Sequence, residues 1–256
     1  MIEVKNLSAS YSDKIVFENL NFTLQSASFT ALCGRNGAGK STLLSLLDGI
    51  IPDGLKVSGE ILINGKNVFA LKRSQVAKEI SYLVQNENPV WNLSVRDFIE
   101  TGLYSFNEMS RTECDKAVLQ AAKTLNIEEF LAKKIFNISG GEFQKCRLAR
   151  CLVQNSSILL FDEPAENLDL AYQSKLLQKI KETQKNNTVL FSIHDINTAA
   201  LFADNYILFT EKTVVTGSAS EIFTEQLLSK AFDVKVKIYS HPEFNKPQIC
   251  FLPLNN

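Results

Sequence analysis

The sequence lacks an apolar run long enough to cross a bilayer, because none approaches the roughly 18 residues that a transmembrane helix needs. Residues 1–6 also lack the basic and then apolar pattern of a signal peptide. We therefore expect a protein that is made and kept in the cytoplasm. Neither sign of charge is in excess, since the formal net charge is −1, and this balance gives no indication of a nucleic-acid partner.

Cysteine pairs and flexible linkers are also missing. The five cysteines include no Cys-x-x-Cys pair and their number is odd, which predicts reduced thiols rather than disulfides or a metal site. No long linker rich in proline, glycine or serine divides the chain, and neither does an internal repeat or a low-complexity tract. The 256 residues therefore predict one large domain, or one domain that carries an inserted subdomain.

The N-terminal part of the chain predicts antiparallel strands. Polar and apolar residues alternate over the first 25 positions, as in strands with one face on the core and one face in water. Residues 60–63 and 66–68 flank Asn64-Gly65, a dipeptide that fits the type I′ turn of a hairpin. These patterns together predict a β subdomain.

The middle of the chain and the part that follows it differ in pattern. From about residue 86 to residue 152, apolar residues recur at helical spacing, as at Val118, Ala121 and Leu125, which predicts a mostly helical insertion. Continuous apolar runs at 157–161 and 188–193 instead predict central parallel strands covered on both faces. A helix predicted between these runs makes a strand–helix–strand crossover.

The most specific motif is Gly-x-x-x-x-Gly-Lys-Ser at residues 34–41, after an apolar strand predicted over 28–33 and before a leucine-rich helix. In such a loop the backbone N–H groups wrap a chain of phosphates, the lysine reaches the β- and γ-phosphates, and the serine hydroxyl ligates Mg²⁺. The positive end of the following helix adds to the attraction. The nucleotide-binding candidates are Gly34, Arg35, Asn36, Gly37, Ala38, Gly39, Lys40, Ser41 and Thr42.

An acidic pair, Asp162 and Glu163, follows the apolar run at 157–161. Ligands of parallel α/β sheets bind at the carboxyl ends of the strands, which is where this pair is predicted to lie. An aspartate there can hold Mg²⁺, and a glutamate beside it can orient and deprotonate an attacking water. Taken alone, the pair is also compatible with a solvated acidic turn.

Residues 137–145 read Asn-Ile-Ser-Gly-Gly-Glu-Phe-Gln-Lys, which resembles the signature motif of ATP-binding-cassette (ABC) ATPases. The N–H groups and dipole of the helix predicted to start here can form a second phosphate-binding end. Taken alone, the segment could also be a plain helix cap. The resemblance implies a head-to-tail dimer in which each ATP lies between the P-loop of one subunit and the signature of the other. The signature residues are Ser139, Gly140, Gly141 and Glu142.

The resemblance to ABC ATPases covers the whole chain and implies further roles. Tyr11 matches the aromatic residue that stacks on adenine, with Val16 close by, and Gln85 matches the glutamine that contacts Mg²⁺ or the attacking water. Asp169 lies in the segment that matches the D-loop, and His194 matches the switch histidine that contacts the γ-phosphate. The implied catalytic residues are Glu163, His194, Gln85 and Lys40, the implied Mg²⁺ ligands are Ser41, Gln85 and Asp162, and the implied ligands are ATP and Mg²⁺.

The fold implied by the resemblance is α/β: a P-loop NTPase core of the RecA-like type, an antiparallel β subdomain and an inserted α-helical subdomain with the signature. It would be a single ABC ATPase domain over 1–256. Residues 1–85 and 153–256 would form the nucleotide-binding core with the β subdomain, and residues 86–152 the helical subdomain. One departure is Glu166, which puts an extra negative charge near the expected dimer interface.

The segment from Leu93 to Gly102 and the tail from Gly217 to Tyr239 resemble importers of iron–siderophore, haem, cobalamin and related metal cargo. This implies separate multispan membrane permease subunits, an indirect substrate-binding protein and a peripheral position on the cytoplasmic face of the inner membrane. Leu103-Tyr104 departs from the pattern of those relatives, which often have arginine and then proline or histidine there. Two alternatives stay open: a soluble scaffold ATPase, as in iron–sulfur cluster assembly, and the ATPase subunit of an exporter.

Overall fold

The computed structural model describes residues 1–12, 14–106, 108–166, 168, 170–183 and 185–252. The strands are β1 (Ile2–Tyr11), β2 (Lys14–Leu24), β3 (Phe29–Cys33), β4 (Leu55–Ile63), β5 (Lys66–Asn67), β6 (Ile80–Leu83), β7 (Ile158–Phe161), β8 (Thr188–Ser192), β9 (Asn205–Thr210), β10 (Thr213–Gly217), β11 (Lys235–Ser240) and β12 (Pro247–Leu252). The α-helices are α1 (Lys40–Leu47), α2 (Arg73–Glu79), α3 (Val95–Glu100), α4 (Arg111–Leu125), α5 (Gly140–Leu152), α6 (Leu170–Thr183), α7 (Ile196–Phe202), α8 (Ala219–Ile222) and α9 (Glu225–Phe232).

The central sheet has six strands in the order β10-β9-β3-β8-β7-β6. Neighbours from β9 to β6 are parallel, and β10 adds to the edge as an antiparallel strand. Every residue of β3, β7 and β8 is buried, as expected for parallel strands with helices on both faces. The strands predicted from the continuous apolar runs are therefore confirmed.

A second sheet, in the order β2-β1-β4-β5, is antiparallel. The turn between β4 and β5 has positive φ at both Asn64 (49°) and Gly65 (79°), the conformation of a type I′ turn. Helix α1 packs between this sheet and the central one, because its four buried leucines belong to the same apolar cluster as residues of both sheets. Each fully buried leucine contributes about 1.5–3 kcal/mol, so this cluster fixes the helix that follows the P-loop.

Between β6 and β7 the chain is helical. Helix α5 packs against α3 and α4, and the predicted helical positions Val118, Ala121 and Leu125 are all buried. Ser94 stands before Val95-Arg96-Asp97, a sequence pattern that predicts a capped helix start. It caps α3 by accepting a hydrogen bond from the N–H of Asp97 at 3.0 Å, as predicted. The α-helices of the described part of the chain are all too short or too polar to span a bilayer.

Candidate active site

A cavity of about 500 Å³ lies at the carboxyl edge of the central sheet, where residues from β1, β2, the P-loop and the ends of β6 and β8 meet. The sequence is therefore folded so that segments more than 180 residues apart line one polar cleft, spanning Tyr11 to His194. The lining residues are Tyr11, Lys14, Ile15, Val16, Asn36, Gly37, Gly39, Lys40, Ser41, Thr42, Gln85, Glu163, Glu166 and His194.

Two glycines of the P-loop are required by its shape. Gly39, the N-cap of α1, has a φ of 103°, and a Cβ atom there would lie 2.8 Å from Cγ1 of Val16. Gly34 has a φ of 147°, and a Cβ atom there would lie 2.8 Å from Cβ of Phe209. A side chain at either position would meet both a strained backbone and a packed neighbour. Glycine at these two positions therefore lets the loop pass these neighbours on its way into α1.

The Lys40 side chain folds over the loop. Its Nζ donates hydrogen bonds to the carbonyl oxygens of Gly34 at 2.9 Å and Arg35 at 3.1 Å. Burial lowers the pKa of the Lys40 ammonium, while the Glu163 carboxylate acts in the opposite direction. The charge thus sits in the middle of the P-loop, where a phosphate chain would neutralise it.

Glu163 and His194 form a pair at the head of the cavity. Nε2 of His194 lies 2.5 Å from Oε1 of Glu163, although the two residues come from the ends of different strands. Glu163 has a left-handed φ of 53° and is only 7% exposed. Burial raises its pKa, against the opposing effect of His194. Within the described residues, Oε2 of Glu163 is buried and has no hydrogen-bond partner.

Ser192, which the motifs did not single out, joins the two acidic residues. Its buried Oγ donates to Oδ1 of Asp162 at 2.6 Å and accepts a hydrogen bond from the N–H of Glu163 at 2.9 Å. Ser192 ends β8, which pairs in parallel with β7, the strand directly before Asp162. Phe161 pairs with Phe191, so the residues that follow them, Asp162 and Ser192, are neighbours.

Replacing Ser192 with alanine is expected to lower the free energy of unfolding by about 2 kcal/mol, because two buried polar groups lose their partner. We also expect kcat for ATP hydrolysis to fall about tenfold or more, since Asp162 and Glu163 lose their fixed positions. Ser81→Ala is the matched control: Ser81 is equally buried and donates to the carbonyl of Cys151 at 2.8 Å, but lies outside the cavity lining. Equal losses of kcat in the two variants, measured beside urea unfolding, would contradict this role.

The other predicted cavity residues divide into two groups. Tyr11, Val16, Asn36, Gly37, Ser41, Thr42 and Gln85 all line the cavity. Gly34, Arg35, Ala38 and Asp162 do not line it. The Arg35 guanidinium instead pairs with the Asp233 carboxylate at 3.1 Å, and Asp162 is buried behind the cavity on Ser192.

The signature residues lie outside this cavity. Ser139 is the N-cap of α5, and its Oγ accepts a hydrogen bond from the N–H of Glu142 at 3.3 Å. The Glu142 carboxylate accepts one from the N–H of Ser139 at 2.6 Å, which lowers the pKa of Glu142. The segment is thus a complete capping box, and Ser139 and Gly140 are exposed. Asp169, the predicted D-loop residue, lies outside the described residues.

The geometry has close counterparts among known proteins. Residues 17–166 match the family model for ABC transporters. The chain is 31% identical over 242 residues to the petrobactin import ATP-binding protein YclP of Bacillus subtilis, covering 93% of this chain and 95% of that one. It is 33% identical over 260 residues to the hemin import ATP-binding protein HmuV of Idiomarina loihiensis, covering 98% of each chain.

Solved structures agree with these relatives. A chain from an ABC transporter assigned to the metal-chelate type, in an inward-facing conformation, gives a TM-score of 0.80 at 27% identity and covers 99% of this chain and 97% of that one. A dimeric bacterial ABC transporter cassette gives a TM-score of 0.74 at 27% identity and covers 85% of this chain and 98% of that one. The predicted α/β P-loop NTPase fold is therefore confirmed. Since the family model matches more than half of the sequence and two relatives exceed 30% identity over nearly all of it, the chain belongs to the ABC transporter family.

Proposed function

We propose that this chain is the ATP-hydrolysing subunit of a membrane importer whose cargo is an iron chelate, haem, cobalamin or a related metal compound. The observation that carries the ATPase assignment is the Glu163–His194 pair in the lining of a P-loop cavity, with a Glu163 carboxylate oxygen that has no hydrogen-bond partner in the described part of the chain. The cargo class is supported by the relatives, which are named for petrobactin and hemin import.

ATP fits the cavity from end to end. Tyr11, at the mouth, presents a partly exposed ring on which adenine would stack, with Val16 beside it. The phosphates would lie on the N–H groups of the P-loop and at the start of α1, where the helix dipole is positive. Lys40 would exchange its carbonyl partners, Gly34 and Arg35, for β- and γ-phosphate oxygens.

The donors around the cavity fit Mg²⁺. The described residues hold no group of three or more histidine, cysteine or acidic side chains placed to bind a metal on their own. Mg²⁺ suits such a place, because it is held by one or two carboxylates, phosphate oxygens and water. Ser41 and Gln85, which line the cavity, would hold it together with Asp162, which lies outside the lining. Mg²⁺ bound there would neutralise charge on the β- and γ-phosphates.

Hydrolysis would be in-line attack of water on the γ-phosphorus. Oε2 of Glu163, which has no hydrogen-bond partner among the described residues, would hold the water and accept its proton. His194 would fix the carboxylate through Oε1 and contact the γ-phosphate from the other side. Lys40 would stabilise the charge that develops on the transferred group.

A second copy of the chain would complete each site. The Ser139–Glu142 segment lies outside the P-loop cavity of its own chain and is partly exposed, so it is accessible to another copy. Two copies placed head to tail would bring Ser139, Gly140 and Gly141 of one against the ATP on the other. The similarity to a dimeric cassette supports this arrangement. Since ATP would bind the closed dimer better, its binding would shift the population toward closure.

The partner of this dimer would be a pair of separate multispan permease subunits, indirectly served by a substrate-binding protein. The chain would then lie on the cytoplasmic face of the inner membrane. Val90 and Trp91 are 79% and 73% exposed on the proposed helical subdomain, residues 86–152, and form an apolar surface where a permease segment could dock. Nucleic acid has no part in this function.

The importer assignment is tested by purifying the tagged chain from membranes of its own host. We expect a multispan membrane protein to come with it, and we expect cells without the chain to lose uptake of an iron chelate, haem or cobalamin. Purification with soluble partners alone, and unchanged uptake of all three, would contradict it. The ATPase assignment is tested by phosphate release from the purified chain with MgATP, and the assignment of Glu163 as the base by the substitution treated in the Discussion.

The pH dependence of turnover follows from the pKa of Glu163, which burial raises above the ordinary glutamate value of 4.5. Glu166 and Asp162 also raise it and His194 lowers it. Because the base must be ionised, turnover is expected to fall as pH drops through this raised pKa. Glu166→Gln removes a neighbouring negative charge, so it should lower the pKa of Glu163 and move the acid limb of the profile to lower pH.

The control for this profile is Glu129→Gln, which makes the same change of charge at an exposed residue outside the cavity lining. Its acid limb should coincide with that of the unmodified chain. An acid limb that stays in place in Glu166→Gln, or that moves to higher pH, would contradict the assignment of Glu163 as the base.

A further inference from the structure

Helix α5 carries two buried polar side chains to which the sequence motifs assign no role. Gln144 is 7% exposed and Arg147 is 5% exposed, and they lie one turn apart on the helix that starts at the signature segment. A guanidinium is costly to bury unless its N–H groups are paired. The hydrogen-bond partners of Arg147 therefore show which segment helix α5 holds in place.

Arg147 holds the segment that carries Gln85. Its Nη1 and Nη2 both lie 3.3 Å from the carbonyl oxygen of Gln85, and Nη2 also donates to the carbonyl oxygen of Val84. Its Nε donates to Oε2 of Glu87 at 3.3 Å. One side chain thus fixes the backbone on both sides of Gln85, whose position is at the edge of the ATP cavity.

Gln144 links Arg147 to the segment that carries Glu163. Its Oε1 accepts a hydrogen bond from Nη1 of Arg147 at 2.7 Å, and its Nε2 donates to the carbonyl oxygen of Pro164 at 3.0 Å. Pro164 directly follows Glu163. A continuous chain of hydrogen bonds therefore runs from the Gln85 backbone through Arg147 and Gln144 to the backbone beside Glu163.

We propose that Arg147 and Gln144 are positioning residues for ATP hydrolysis, which hold Gln85 and Glu163 at fixed positions relative to helix α5. Because α5 begins at Ser139, movement of the signature segment would be transmitted to both residues through these two side chains. The inference rests on the proposed function, since it assumes that Gln85 and Glu163 act on ATP. It adds two residues that lie outside the lining of the P-loop cavity.

Arg150 provides a matched comparison on the same helix. It pairs with Glu87 through Nη1 at 2.7 Å and through Nη2 at 2.5 Å, and it stacks over the Phe98 ring at 4.6 Å. It shares the Glu87 partner with Arg147 but bonds to neither the Gln85 nor the Val84 carbonyl. A substitution here removes a guanidinium that is less buried than Arg147, with a side chain 22% exposed against 6%, and leaves the proposed contact intact.

The test compares Arg147→Met, Arg147→Lys and Arg150→Met for kcat, the dissociation constant of ATP and the midpoint of thermal unfolding. We expect Arg147→Met to lower kcat by ~10- to ~100-fold, because small displacements of reacting groups cost this much, with ATP affinity within ~3-fold. Arg147→Lys should regain part of kcat, since an ammonium can donate to one of the carbonyls. Arg150→Met should lower the unfolding midpoint and keep kcat within ~3-fold.

Equal losses of kcat in Arg147→Met and Arg150→Met, or no recovery with lysine, would overturn the proposal. If Arg147→Met does not fold, Gln144→Met removes the links to Pro164 and to Nη1 of Arg147 and leaves the contacts of Arg147 with the Val84 and Gln85 carbonyls. A lower kcat with unchanged ATP affinity then supports the proposal, and an unchanged kcat overturns it. Two parallel measurements separate the two levels. No ATP hydrolysis by the unmodified chain means that the proposed function has failed, whereas high turnover in Glu163→Gln means only that Glu163 is not the base.

Discussion

Replacing Glu163 with glutamine is expected to lower the rate of ATP hydrolysis by about 10²–10⁴-fold, the usual effect of removing a positioned base. The physical reason is the state of Oε2, which is buried, unpartnered within the described residues and beside the P-loop cavity. An amide keeps the shape of the side chain and cannot accept the proton of the water. Steady-state phosphate release measures the loss.

The same variant should still bind ATP and should accumulate as a dimer, because the closed state forms and is not opened by hydrolysis. Light scattering behind a sizing column, with and without MgATP, detects this change of mass. Glu166→Gln serves as the comparison, since its carboxylate affects Glu163 only through charge; it should keep about a tenth or more of the activity. Near-normal turnover by Glu163→Gln would disprove the assignment of the base.

The second large effect is expected at Lys40. Lys40→Ala should lower the affinity for ATP by about 100-fold, because two charge-assisted hydrogen bonds to phosphate, worth about 1.5 kcal/mol or more each, are lost. The Gly34 and Arg35 carbonyls, which the ammonium contacts in the protein without ATP, can be hydrated in its place. Titration with ATP, followed by calorimetry, measures the loss.

The control for Lys40→Ala is the thermal unfolding of the same variant. An unchanged midpoint of thermal unfolding in Lys40→Ala shows that the loss of affinity comes from the missing ammonium rather than from a damaged P-loop. ATP affinity within about threefold of the unmodified chain would contradict the proposed contact with the phosphates, since that contact should be worth far more.

Local patterns were enough to predict most elements. The turn at Asn64-Gly65 and the cap of α3 at Ser94 depend on residues within four positions of each other, so the sequence shows both partners at once. The strands at the centre of the sheet were predictable because burial on both faces requires an unbroken apolar run. The strand order β10-β9-β3-β8-β7-β6 was not predictable, because it depends on packing between distant segments.

In the candidate site, too, residues of contiguous motifs were predictable and residues with distant partners were not. Motif spacing was enough to predict Lys40, Ser41 and Glu163 as candidate site residues, because each motif is contiguous and its chemistry is carried by neighbouring residues. Ser192 and Arg147 were missed, because their partners lie 30 and 63 residues away along the chain. Neither residue belongs to a contiguous motif, so only the pairing of β7 with β8 and the docking of α5 reveal it.

The backbone conformation at Glu163 limits how this protein can be made more resistant to heat. A left-handed φ of 53° favours glycine, and a buried position whose oxygen finds no partner among the described residues favours an apolar one. Folding and chemistry therefore select different amino acids at this one position. Engineering the chain for heat resistance by replacing its locally unfavourable residues would remove the Glu163 carboxylate among the first, and we expect the more stable protein to lose the ATP hydrolysis proposed for it.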